Sequence, residues 1–172
     1  HAIGPARRTG SSAAPIGARD PARAQALAAR LDLSGVKITA AATVAKATAG
    51  ADVIVTTTPS PTPILHEADA GQHITAMGSD AEHKNEIAPA LLAQVQYIAD
   101  RLSQTQVLGE LHHAIAAGLI GKDQPFPELG QIIANKAKGR LDPGAITLAD
   151  LTGTGIQDTA IATLAVARAK SQ

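Results

Sequence analysis

The sequence predicts an α/β domain of the Rossmann type: a mostly parallel sheet with helices on both faces, lacking the first strand and the Gly-rich loop that such domains carry. Three observations predict it. Segments rich in Val, Ile and Thr alternate with helical segments at lengths that suit parallel βαβ crossovers. The clearest of them, Asp52–Thr58, holds an unbroken apolar run from Val53 to Val55, the pattern of a parallel strand covered on both faces. Polar and glycine-containing turns then follow three predicted strands, at the carboxyl ends where open parallel sheets bind ligands.

The elements follow in order. The opening stretch, HAIGPARRTGSSAAP, is dense in Gly, Pro, Ser and Arg, so residues 1–15 are expected to be loop and residues 16–172 the ordered domain. A short strand over Pro15–Ala18 leads to Asp20-Pro21, an N-cap followed by proline at the first helical position. Leu27, Ala28 and Leu31 carry helical spacing to about Asp32, and Gly35 separates that helix from a strand over Val36–Thr39. Thr43–Ala49 is a short helix closed by Gly50, and the strand at Asp52–Thr58 is stopped by Pro59, Pro61 and Pro63. A strand over His73–Met77 ends at Gly78, and a helical segment through Ala90, Leu91 and Leu92 precedes a strand at Val95–Ala99. Leu102–Ile120 and Pro127–Lys138 are expected as helices, the second with a stripe of Leu129, Ile132 and Ile133. A last strand at Ile146–Ala149 and a helix over Ile156–Lys170, free of Gly and Pro, close the chain.

Composition narrows the function classes. The chain has 172 residues, enough for one domain with a real core. Hydrophobic residues make up 45% of it but aromatics only 1%, so Ala, Ile, Leu and Val must fill the interior. Lys+Arg and Asp+Glu are 15 each, and a zero net charge gives no pull toward nucleic acid or an anionic membrane. With no cysteine, disulfides, thiolate catalysis and thiolate metal sites are excluded. No apolar run approaches the roughly 18 residues of a membrane span. Arg7 and Arg8 precede no hydrophobic segment, so the start does not resemble a signal peptide, and the expected compartment is the cytoplasm. A first residue of His rather than Met suggests a processed, truncated or trimmed start.

Three strand ends carry candidate chemistry: Thr58-Pro59-Ser60, Gly78-Ser79-Asp80, and Leu151-Thr152-Gly153-Thr154-Gly155. In the last, Gly-x-Gly between strand and helix lets backbone approach a ligand and points helix N–H groups at it. Asp158 stands where a dinucleotide fingerprint has its third small residue, so a plain tight turn is the equal alternative. Asp80 offers a carboxylate for proton transfer at a bound substrate. Ser79 with Glu82 also matches a capping box, the alternative role for this segment. Lys84 and Glu86 either orient Asp80 or form a solvated face. Arg19 lies at the tip of the first predicted strand, where a nucleotide-binding fold meets the adenosine ribose; an Arg there pairs with a 2′-phosphate and leans toward NADP over NAD. An exposed Arg beside a helix cap is the alternative. The six histidines show no metal spacing, and His112 and His113, adjacent on a helix, are expected to face different ways, so no metal site is expected.

The stretches ADVIVTTTPS (51–60), HITAMGSDAEHKNEI (73–87), GELHHAI (109–115), ELGQII (128–133), GR (139–140) and ITLADLTGTGIQDTAIA (146–162) occur in an order that resembles the ornithine cyclodeaminase/mu-crystallin family. The likeness runs from about Ile16 to Ala167, and the wording of MGSDAEHKNE and LTGTGIQDTAIATLA is most similar to the branch named for ectoine utilisation. It implies a homodimeric NAD- or NADP-dependent protein with a separate substrate and dimerisation domain, acting on a small amino acid or imine. Members oxidise an amino acid to an imine and then cyclise, deaminate or reduce it, while the crystallins chiefly bind cofactor. The resemblance makes Asp80 the acid/base residue with Lys84 beside it. It sets Thr58 and Ser60 near the nicotinamide ribose and Thr152 and Gly153 at the nicotinamide, with Gly78 and Ser79 among the cofactor-binding residues. Family chains run to roughly twice this length, and the strand ending in Gly-x-Gly-x-Gln/x-Ala that should precede Ile16 is not matched by AIGPARRTGSS. The expectation is therefore a C-terminal fragment of a cyclodeaminase-like oxidoreductase; a crystallin-like NADP(H)-binding protein and a truncated inactive product are the alternatives.

Overall fold

The computed structural model of the chain describes residues 12–170. Of the expected opening loop, positions 1–11 lie outside the described residues. Strand β1 (Ala13–Gly17) begins two residues ahead of the expected Pro15, because Ala13 and Ala14 pair in register with Lys37 and Ile38 of β2 (Lys37–Ala41). A partner strand recruits them, and no local pattern announces it. Helix α1 (Pro21–Arg30) starts where the sequence places it, the Asp20 carboxylate accepting the Ala22 N–H at 2.9 Å. The Thr43 hydroxyl caps α2 (Val44–Thr48) in the same way, accepting the Lys46 N–H at 3.2 Å.

Strands β3 (Val53–Thr56), β4 (His73–Ala76), β5 (Gln96–Ala99) and β6 (Thr147–Asp150) form a second sheet in the order β3-β4-β6-β5. Every pair in both sheets is parallel. A Rossmann sheet runs 3-2-1-4-5-6, so β2-β1 and β3-β4 match its flanks, and the break between the two sheets falls where that order has one further strand. Strand β6, last in sequence, enters between β4 and β5.

One face of the larger sheet is the core. Ile54, Ile74, Tyr97 and Leu148 alternate onto it and meet Leu91 and Leu92 of α3 (Pro89–Leu92). The chain's one Tyr and one Phe, Tyr97 and Phe126, pack edge to face at 4.8 Å. The opposite face is covered only in part. Val53 is 47% exposed, so β3 is not enclosed on both sides as its apolar run suggested.

Two expected helices are shorter than their patterns. Leu102–Ile120 splits into α4 (Leu102–Thr105) and α5 (Glu110–Ala116), broken at Gly109, whose φ is +35°. Pro127–Lys138 is helical only over α6 (Leu129–Ile133), which ends ahead of Asn135 at φ 56°. The chain beyond is bound to the sheet instead: the Gln96 side chain takes the Gly139 carbonyl and the Leu141 N–H, and Arg140 donates to the Thr147 hydroxyl at 3.1 Å. That bracing accounts for the Gly139-Arg140 pair. Helix α7 (Gly155–Lys170) closes the fold with no buried residue, Ile156 and Ile161 facing solvent.

Candidate functional site

Because all strands of the larger sheet are parallel, their carboxyl ends share one side, and each delivers a polar turn there. Thr58 and Ser60 follow β3, Gly78 to Asp80 follow β4, Asp100 follows β5, and Thr152 and Gly153 follow β6. Arg19 lies exposed two residues past the end of β1, in the smaller sheet.

The loop after β4 contains no helix before α3, so Ser79 and Glu82 do not form a capping box. Buried Ser79 has its hydroxyl against the Glu110 carboxylate and 3.1 Å from the Lys84 carbonyl, contacts drawn from another element that a local motif cannot reveal. Asp80 is exposed and ion-paired with Lys84, whose ammonium lies in direct hydrogen-bond contact with Oδ1. That hydrogen bond holds the Asp80 carboxyl below the usual carboxylate range. Glu86 is fully buried rather than solvated: Oε1 accepts the Thr58 N–H and Oε2 the Gly78 N–H at 2.8 Å. One carboxylate thereby fixes the ends of β3 and β4 together. Ser60 is anchored beside them, its hydroxyl donating to the Thr62 carbonyl at 2.7 Å and its carbonyl accepting the Asn85 N–H at 2.8 Å.

This arrangement leaves no room at position 78. A Cβ on Gly78 would overlap the Glu86 carboxylate and the Thr58 carbonyl oxygen, and the backbone atom cannot swing away. Gly78→Ala should lower stability by about 1–3 kcal/mol, as overpacking does. A denaturant titration checks it; a midpoint equal to that of the parent chain contradicts the packing described.

Three further buried or clamping acids were missed by sequence reasoning. Asp100 accepts the Thr152 N–H at 2.8 Å, the Thr152 hydroxyl at 3.0 Å and the Gly153 N–H at 3.0 Å, holding a turn in which Gly153 has φ +82°. Asp150 caps α5, its Oδ2 accepting the Glu110 N–H at 2.8 Å, the Leu111 N–H at 3.2 Å and the Tyr97 hydroxyl at 2.7 Å. Its Oδ1 is buried without a partner, and burial pushes this carboxyl up to about 7. Glu110 is also buried and is pushed up to about 6 for the same reason. The available signal was the pair of strand endings Tyr97-Ile98-Ala99-Asp100 and Thr147-Leu148-Ala149-Asp150, each an apolar strand closed by Ala-Asp. Gly109 joins the two turns: its N–H donates to the Ser79 carbonyl at 3.2 Å, and a Cβ there would lie 2.7 Å from Asp150 Oδ2 and 3.0 Å from Thr152 Cγ2.

The structure therefore brings Thr58, Ser60, Gly78, Ser79, Asp80, Lys84 and Thr152 into one connected network, with Gly153 at its exposed rim. No hydrogen bond or ion pair among the described residues joins that network to Arg19. Among the described residues, no group of three or more His, Asp or Glu is placed to hold a metal ion. His112 and His113, expected to diverge, meet edge to face with ring centroids 5.0 Å apart. No helix among the described residues is long and apolar enough to cross a membrane.

The model of the ornithine cyclodeaminase/mu-crystallin family matches residues 12–172. The chain belongs to that family. A protein of Rhizobium meliloti named only as a dehydrogenase is 58% identical over 161 residues, covering 92% of this chain and 49% of its own length. Two solved structures of similar proteins show the same fold. The iminosuccinate reductase of Paracoccus denitrificans, in complex with NAD+, matches at a TM-score of 0.74 and 41% identity, over 80% of this chain and 42% of the solved one. An archaeal alanine dehydrogenase, solved as a dimer with bound NAD, matches at 0.74 and 33% identity, over 80% and 43%. The chain thus spans about half the length of the relatives it matches, and its α/β fold is like that of the matching part of the solved structures.

Proposed function

We propose that this cyclodeaminase-family chain is the cofactor half of a cytoplasmic, homodimeric oxidoreductase that acts on a small amino acid or its imine, in the branch named for ectoine utilisation. The observation that carries the reading is the Asp80–Lys84 pair at the end of β4, beside two turns held by carboxylates, one by buried Glu86 and one by half-buried Asp100. The family model, and relatives solved with NAD, support a nicotinamide cofactor. The alanine dehydrogenase dimer supports the oligomeric state.

The residues present fit part of such a cofactor. The Thr152–Gly153 turn offers an exposed glycine whose lack of a Cβ lets a ligand approach closely, and the Thr58–Ser60 loop stands at the end of β3, two strands along the same sheet. We assign these turns, with Gly78 and Ser79, to the nicotinamide and its ribose. When bound, the nicotinamide accepts or donates a hydride. Asp80, ionised and open to solvent, takes the proton from the substrate nitrogen as the Cα–N bond becomes an imine, and returns it in the reverse direction. Lys84 keeps that carboxylate charged and aimed.

Arg19 extends the reading to the adenosine end, where a guanidinium forks onto a 2′-phosphate. The whole protein should bind NADPH more tightly than NADH, and Arg19→Ala should weaken NADPH by roughly 5–50-fold, the loss of one charge-assisted pair. Parallel fluorescence titrations check it. Equal affinities that do not respond to the substitution assign Arg19 to the surface.

A further inference from the structure

The motif Gly109–Ile115 is a stretch of the sequence pattern to which the proposed chemistry gives no task. Its helix, α5, runs beneath the loop that carries Asp80 and Lys84. Glu110 Oε1 accepts the Ser79 hydroxyl and the Glu86 N–H at 2.9 Å, and Oε2 accepts the Ile87 N–H at 3.0 Å. One turn along the same face, His113 Nε2 donates to the Lys84 carbonyl at 2.7 Å. The Gly109 N–H adds a bond to the Ser79 carbonyl. These contacts grip the loop on both sides of Asp80, at Ser79 and again at Lys84, Glu86 and Ile87. The helix is itself fixed, since Asp150 at the end of β6 takes its first two N–H groups.

We propose that Glu110 is a positioning residue for the Asp80–Lys84 pair, with His113 as its second point of hold. A carboxylate suits position 110 because every group hydrogen-bonded to it there donates: one hydroxyl and two backbone N–H groups. A carboxamide of the same size turns an NH2 toward one of them and leaves a donor facing a donor. Burying an acid is costly, and burial raises this one. An apolar residue would avoid that cost but would leave three donors unmet and the loop untethered. The inference rests on the reading of Asp80 as the proton-transfer residue, and its test separates the two.

The test is Glu110→Gln in the whole protein, with His113→Ala as the second variant, since His113 is only partly buried and its loss spares the core. Two readouts are taken on each: hydrogen exchange of residues 79–87 by mass spectrometry, and steady-state kinetics with NAD+ and L-ornithine or L-alanine. Exchange in the loop should accelerate at least tenfold in Glu110→Gln while β3 and β4 keep their protection. Its kcat should fall by roughly 10–100-fold, with KM and the NADH dissociation constant within about threefold. A general loss of structure would instead raise exchange everywhere and leave kcat per folded molecule unchanged. His113→Ala should show the same pattern at reduced size, and carries the test if Glu110→Gln does not fold. Unchanged loop exchange overturns the holding role. Faster exchange with kcat intact overturns the positioning role while leaving Asp80 in place. Turnover retained in Asp80→Asn overturns the proton-transfer reading instead, and the exchange result still decides whether Glu110 holds the loop.

Discussion

Replacing Asp80 with Asn in the whole protein is expected to cut turnover by roughly 10²–10⁴-fold, the range that a positioned proton-transfer group contributes. Cofactor binding should stay within about threefold of the parent. The substitution is nearly isosteric and falls on an exposed side chain, so stability should scarcely change. Asn retains a hydrogen-bond acceptor for Lys84 but neither carries charge nor takes up a proton. Steady-state kinetics beside a fluorescence titration with NADH separate chemistry from binding. Turnover within threefold of the parent would remove Asp80 from the chemistry.

Asp150→Ala should be the most damaging substitution to the fold, costing about 3–5 kcal/mol. It strands the Tyr97 hydroxyl and the Glu110 and Leu111 N–H groups, all buried, and uncaps the helix that carries Glu110. Against a typical domain stability of about 5–15 kcal/mol, such a loss should lower Tm by on the order of 10 °C. Asp150→Asn should fare better, because an amide oxygen can still accept from those donors. It also removes a charge that is expensive to bury next to a partnerless Oδ1. The pH dependence distinguishes the variants. Burial pushes Asp150 up to about 7 and Glu110 up to about 6, whereas in the unfolded chain both ionise near about 4. Between those values the unfolded chain releases protons that the folded chain keeps. The stability these groups contribute is therefore full below about pH 4 and is lost as pH rises through about 6–7. Thermal melts from about pH 5 to pH 8 should show a falling Tm in the parent and a shallower fall in Asp150→Asn. Identical slopes would contradict the burial argument.

These two predictions differ in how far the sequence alone supports them. Local pattern makes Asp80 a candidate, since a Gly-x-Asp turn directly after a strand lies where parallel sheets bind ligands. The same pattern fits a helix cap, and the family resemblance is what favours the acid/base role. Most of the strands, the Asp20 cap and the closing helix were readable from local pattern too, each set by residues within a few positions of itself, whereas the start of β1 is set by its pairing with β2. The buried acids were not. Thr58 and Glu86 are 28 residues apart and Glu110 and Asp150 40, so what neutralises these carboxylates belongs to other elements. A carboxylate after a strand is normally solvated, and only the fold shows Asp150 meeting three donors. The same limit explains the over-long helices. Leu102–Ile120 is periodic enough for a single helix, but Gly109 turns away to bond Ser79 and Asp150 restarts the helix at Glu110. Glu82 shows the opposite error, where a local capping motif matched but the loop is held from α5 and forms no helix.

The most direct test is substrate-dependent change in nicotinamide absorbance by the whole protein. L-ornithine and L-alanine would be offered with NAD+ and NADP+, and iminosuccinate with NADH and NADPH. The expected result is steady turnover with at least one pairing, lost in Asp80→Asn. Tight binding of NADPH with no turnover on any of them would contradict the oxidoreductase reading and leave a protein that holds its cofactor without using it.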